Sequence, residues 1–123
     1  MEIGAFTLSL NVKDINKSLE FYQKLGFQQK SGNIEEKWLV LKNGNAVIGL
    51  FQGMFESNIL TFIPGWDQEG KELEQFTDIR DLQKSLKKSG IRLKEEADES
   101  GQGPAFFTLE DPDGNQILFD QYL

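Results

Sequence analysis

The chain contains no cysteine and no histidine. The first absence excludes disulfide bonds, a thiolate nucleophile and any cysteine-held cluster. The second excludes Ser–His–Asp chemistry, imidazole acid–base catalysis and every histidine-containing metal site. A metal would have only carboxylates, amides and water to hold it, a donor set suited to hard ions such as Mg²⁺ or Ca²⁺. Long apolar runs are missing as well. The longest, Ala46 to Phe51, falls far short of the ~20 residues that span a bilayer. The opening Met1-Glu2-Ile3-Gly4 has no basic n-region and no cleavage-type pattern, so no secretory signal is visible and a cytoplasmic location is expected. Positive charge is scarce: 13 Lys and Arg stand against 20 Asp and Glu, for a net charge of −7. Phosphate backbones and anionic headgroups both call for a positive surface, so neither nucleic acid nor a membrane is an expected partner.

What is present suffices for one domain. The 123 residues are 38% hydrophobic and include ten Phe, enough for a real core at this size. Ala5 to Val12 alternates, with Leu8, Leu10 and Val12 on one face and Thr7, Ser9 and Asn11 on the other, which predicts a half-buried strand. Asp14 follows as a helix N-cap, and Ile15, Leu19, Tyr22 and Leu25 recur at helical spacing up to Gly26. Phe27 to Lys30 reads as a short strand. Lys37–Lys42 and Ala46–Phe51 read as a hairpin turning at Asn43-Gly44.

The second half repeats that order. Asn58 to Ile63 predicts a strand, Asp78 caps a helix carrying Ile79, Leu82 and Leu86, and Gly90 ends it. Ile91–Lys94 is expected as a short strand, and Pro104–Glu110 pairs with Gln116–Tyr122 across Asp-Pro-Asp-Gly-Asn. Asp14 and Asp78, Ile15 and Ile79, and Gly26 and Gly90 each differ by 64 positions, while the Gly-Asn turns at 44 and 114 differ by 70. A common offset across caps, stops and turns points to an internal repeat of strand–helix–hairpin units. The expectation is an α+β single domain, 1–123, with modules at about 4–52 and 57–122.

The stretch LSLNVKDINKSLEFYQKLGF, Leu8 to Phe27, closely resembles the opening strand and helix of the vicinal-oxygen-chelate (glyoxalase/bleomycin resistance protein/dioxygenase) superfamily. FFTLEDPDGNQILFDQ, Phe106 to Gln121, is similar to that family's closing hairpin. The resemblance implies two βαβββ modules curling a mixed sheet around an open cavity. In metal-using members the ligands come from the first and last strands of each module. Those positions fall here on Thr7, Gly49 (or Ile48), Ile59 and Leu118, none of them His, Glu or Asp. The expectation is therefore no metal and no cofactor. What the resemblance leaves is a small-molecule-binding protein, the alternative being a glyoxalase-like lyase or isomerase. It also implies a homodimer.

The ligand-binding residues expected on this basis are Thr7, Ser9, Asn11, Ile59, Thr61, Trp66, Leu118 and Asp120. Asp120 and Glu110 are the titratable candidates, and no catalytic residue is assigned. Trp66 lies on an inserted segment, Pro64 to Thr77, either as a lid over the cavity or as a packing residue. Trp38, Phe55 and Phe106 are further aromatics able to stack on a planar ligand. Asp111-x-Asp113-Gly114 reads as turn chemistry, since the Gly and Glu of a calcium loop are missing at the sixth and twelfth positions. The acidic run Glu95 to Glu99 and the Gly101-x-Gly103 that follows read as a solvated loop.

Overall fold

Alternation in the first strand sets the frame. In the computed structural model, which describes all 123 residues, strand β1 (Ala5–Asn11) directs Leu8 and Leu10 into one core. Contact density divides the chain into two compact units, Thr7–Ile59 and Met1–Phe6 with Leu60–Leu123.

In the 7–59 unit, Asp14 caps helix α1 (Ile15–Lys24), its carboxylate accepting from the Asn16 and Lys17 amides at 3.1 and 3.3 Å. The helix ends before Gly26, whose φ of 99° a side chain would oppose. Strand β2 (Gln28–Asn33) is longer than expected, and a 3₁₀ turn (Ile34–Glu36) leads to β3 (Trp38–Asn43) and β4 (Ala46–Phe51). Antiparallel β2–β3 and β3–β4 pairs and a parallel β4–β1 pair give the order β2-β3-β4-β1. Ile15, Leu39, Leu41, Ile48 and Leu50 form the core under α1. Burying each contributes roughly 1.5–3 kcal/mol. The outer strand β2 is polar throughout and slips register around Lys30, features that discourage pairing with another strand.

The other unit carries β5 (Ile59–Ile63), helix α2 (Ile79–Lys88), β6 (Ala105–Glu110) and β7 (Gln116–Gln121), in the order β5-β7-β6. Its core is Ile79, Leu82, Phe107, Leu109 and Phe119, with Phe107 stacked on Phe119 at 4.6 Å. The α+β fold expected from the sequence is thus the fold of the chain, but Ile91–Lys94 is not a strand. Only an isolated bridge, Glu95 to Thr108, forms there. The Ile91 N–H instead closes α2, donating to the Leu86 carbonyl at 3.1 Å, and backbone bonding to β6 begins only at Lys94. Gln83 exchanges two hydrogen bonds with the Ala97 backbone, at 2.7 and 3.0 Å, and Arg80 donates to the Asp98 and Gly103 carbonyls. These side chains hold the chain beyond the bridge as a loop against α2.

The inserted segment is tied down rather than loose. Asp67 accepts from the Glu69 and Lys71 amides at 2.9 Å, and Trp66 bridges Glu72. The side-chain amide of Gln68 accepts from the Phe6 N–H at 2.8 Å and donates to the Phe6 carbonyl at 2.7 Å, standing in for a neighbouring strand. Gly4 is required beside it, because a Cβ there would lie 2.0 Å from the Ile63 carbonyl oxygen.

Each helix begins with the same device. The Ile15 amide donates to Gln52 Oε1 at 3.0 Å and the Ile79 amide to Gln121 Oε1 at 2.8 Å. Gln121 is only 1% exposed. Gln121→Leu strands a buried amide and should destabilise the fold by about 1–3 kcal/mol. Gln52→Leu, nearer solvent, should cost less; urea denaturation of both variants measures the difference.

Candidate functional site

The cores take alternate residues of each strand, and the remainder form a second face in each unit. In the 7–59 unit the face opposite α1 carries Thr7, Ser9 and Asn11 of β1, Val40 of β3, and Gly49 and Phe51 of β4. Ser9 pairs in register with Gly49, which pairs with Val40. This settles the β4 register: Ile48 belongs to the core and Gly49 to the open face. The Phe51 ring lies over Gly49, where an added Cβ would come within 2.5 Å of it. Ser9 is buried and Thr7 half-buried. Asn11 is engaged with the loop before β5, its N–H donating to Asn58 Oδ1 at 2.9 Å and its Nδ2 to the Glu56 carbonyl at 3.1 Å. Ile59 is half-buried at the end of this unit, and Phe55 packs on Phe51.

In the other unit Phe62, Phe107, Ile117 and Phe119 face α2, so Thr61, Phe106, Leu118 and Asp120 take the opposite face. Thr61 is buried and Leu118 half-buried. Asp120 stands opposite Phe106 in the β6–β7 register. Burial pushes the Asp120 carboxyl above its ordinary range, against a hydrogen bond from Tyr122 that lowers it. Tyr122 is pushed up to about 12, by burial first and then by the negative charge of Asp120. The Tyr122 ring meets Trp66 edge-on at 5.7 Å. Trp66, Tyr122 and Asp120 are therefore one connected group beside two apolar neighbours, Phe106 and Leu118. A carboxyl in such a setting accepts a ligand N–H or O–H when ionised and donates when protonated. Tyr122 was missed in the sequence; its only signal was its place two residues after Asp120, on the same side of the strand.

Other candidates are occupied structurally. Glu110 accepts from Lys94 Nζ and Gln116 Nε2, both at 2.9 Å, and these bonds lower its pKa, so it is no poised base. Glu96 and Glu99 face Lys87, and Glu99 also accepts from Gln83. Asp111 binds its own turn through the Asp113 and Asn115 amides. The residues at the family's metal positions do not fit a divalent ion: Thr7 offers one hydroxyl, while Gly49, Ile59 and Leu118 offer no side-chain donor atom. No group of three or more carboxylates is gathered anywhere to replace them.

Because the folded protein raises the Asp120 pKa, ionising this group costs stability as pH climbs through its folded value. Asp120→Asn should therefore raise the melting temperature at pH 7, with the gain shrinking towards zero below the ordinary value of 3.8. Tyr122→Phe removes the opposing hydrogen bond and should move the Asp120 titration further up, as followed by carboxyl NMR.

Comparison with known proteins agrees with this architecture. No curated protein matches the chain. Among solved structures, a glyoxalase/bleomycin resistance protein/dioxygenase superfamily member from Vibrio splendidus 12B01 is 21% identical. It covers 94% of this chain and 97% of its own, with a TM-score of 0.65. A protein described as an NAD-dependent benzaldehyde dehydrogenase from Legionella pneumophila is 15% identical, covering 96% and 99% at a TM-score of 0.67. A hypothetical protein from Bacillus halodurans C-125 is 13% identical, covering 99% and 94% at 0.66. At these identities the likeness concerns the fold alone. The superfamily model itself matches residues 3–119, nearly the whole length. The chain belongs to the glyoxalase/bleomycin resistance protein/dioxygenase superfamily.

Proposed function

We propose that the chain binds a small organic molecule without a catalytic metal, using the sheet face turned away from α2. The observation that carries this reading is the Asp120 environment. A desolvated carboxyl and its Tyr122 partner sit beside Leu118 and Phe106, and Phe106 and Tyr122 are 48% and 49% exposed. Exposed aromatic surface with one polar handle is what a ligand site needs, and it adds nothing to the core. On this reading Leu118 supplies apolar contact, Asp120 orients the ligand, and Trp66 closes over it from the inserted segment. Thr61 adds a hydroxyl on the same face, and in the 7–59 unit Thr7, Ser9, Asn11 and Ile59 are proposed as contacts of that unit's own open face. Glyoxalase-type isomerisation relies on a divalent ion to stabilise an enediolate, and the donor-poor positions Thr7, Gly49, Ile59 and Leu118 favour binding over that chemistry.

A thermal-shift screen of planar aromatic compounds and divalent ions tests the reading. A ligand at 100-fold its Kd should stabilise the protein by about 2.7 kcal/mol, and Leu118→Arg should abolish that shift. Zn²⁺, Ni²⁺ or Mn²⁺ should give none. A stoichiometric metal retained through gel filtration would overturn the metal-free part.

We propose further that the protein is a homodimer, as the family resemblance implies. The polar, irregular β2 edge is unsuited to strand pairing, so the contact is expected away from it. Light scattering at micromolar concentration should return the mass of two chains; the mass of one chain would exclude the dimer.

A further inference from the structure

A cleft of about 780 Å³ opens in the second unit between the segment before β1 and the inserted segment. Its apolar walls come from Ile3, Pro64, Trp66, Leu73 and Phe76. This volume lies within the range of ligand pockets, roughly 300–1,000 Å³. The cleft is set by the backbone: Gly4 approaches Ile63 too closely for any side chain, and Gln68 clamps Phe6. Those backbone walls are preformed, whereas the Trp66 indole, whose N–H is buried, has to turn for a ligand to reach it.

Two observations define what it would take. The first is charge. Glu2 and Asp67 line the cleft and no lysine or arginine side chain does, the Met1 α-amino group being the one cation among the lining residues. Hydrogen bonds from the Lys71 and Glu69 amides hold the Asp67 carboxyl below its ordinary range despite its desolvation, so it stays ionised and opposes an anion. The second is Trp66 Nε1, the one buried side-chain nitrogen or oxygen in the chain with no hydrogen-bond partner. An unmet buried donor is costly, and the indole that carries it forms part of the cleft wall. A ligand that draws the indole edge towards the cleft gives that N–H an acceptor.

We infer that this cleft is a second binding site, next to the Asp120 face and sharing Trp66 with it, for an uncharged molecule with an apolar body and a carbonyl-type acceptor for Trp66 Nε1. Leu73 and Phe76 hold the body, and the acidic lining rejects carboxylates.

Three naphthalene probes of one shape test it: 2-naphthamide, 2-naphthoate and 2-methylnaphthalene. The ¹⁵N-labelled chain should show two indole N–H signals, from Trp38 and Trp66, assigned with Trp38→Phe. Saturable movement of the Trp66 signal with 2-naphthamide is expected. By calorimetry the amide should bind about 10-fold more tightly than the methyl compound, the worth of one hydrogen bond, and more tightly than the carboxylate. Trp66→Phe keeps an aromatic ring and should erase the preference for the amide over the methyl compound, while Phe76→Ala should weaken all three probes. Circular dichroism checks that both variants are folded. The inference is overturned if the Trp66 signal does not move, if the carboxylate binds best, or if the amide preference survives Trp66→Phe. Binding lost with Leu118→Arg but kept with Phe76→Ala would place the probe on the sheet face, overturning the cleft site and leaving the sheet-face reading intact.

Discussion

The primary amide of Gln121 holds the second unit in its arrangement. It is buried, accepts from the Ile79 N–H at the start of α2, and donates to Asp78 and to the Gly103 and Leu123 carbonyls. Asp78 in turn caps α2 through the Arg80 amide and pairs with the Arg80 guanidinium at 3.1 Å. Arg80 then fixes the 98–103 loop. Helix start, final strand and loop thus share one part-buried polar network at the edge of the apolar core. A half-satisfied network of that kind is worse than none, because each orphaned buried group keeps its desolvation cost. The backbone at Ile91 is used to close α2 through the Leu86 carbonyl, and the chain meets β6 only from Lys94 onwards.

Once the helix-facing residues are committed to cores, the opposite faces are free to differ from a standard interior. Gly49 beneath Phe51, Phe106 beside Asp120 and the edge-on Trp66–Tyr122 pair are arrangements that core packing alone does not demand. The inserted segment adds to this in the second unit only. It borrows the Phe6 backbone through Gln68, packs Trp66 edge-on against Tyr122 and leaves the indole N–H unmet. Gly49, Phe106 and Asp120 thus belong to strands that also build the cores, on the side away from the helices, while Trp66 and Tyr122 lie just outside strands.

Much of the fold was legible because it rests on local rules. Asp14 and Asp78 announce their caps, and Gly26 and Gly90 their stops, since only short-range backbone bonding and positive φ are involved. Alternation separated Leu8 and Leu10 from Thr7, Ser9 and Asn11 for the same reason. The candidate site was legible only in part. Asp120 could be named as a titratable group on a strand face, but its shift depends on burial and on a bond with Tyr122, which a spacing of two residues does not reveal. Glu110, an equal candidate in sequence, is neutralised as a base by Lys94 and Gln116, which approach it from two other points of the chain.

By itself the sequence determined the α+β order, the repeated caps, the superfamily and the poverty of metal donors, because each is written in neighbouring residues or in composition. Tertiary structure alone decided that Gln52 and Gln121 seat the two helices, that Gln68 replaces a strand beside Phe6, and that Trp66 Nε1 lacks an acceptor. Those outcomes turn on pairs separated by 37 to 62 positions, or on what surrounds an atom in three dimensions. Side-chain amides have no preferred partner along the chain, so only the packed backbone determines which group each one finds.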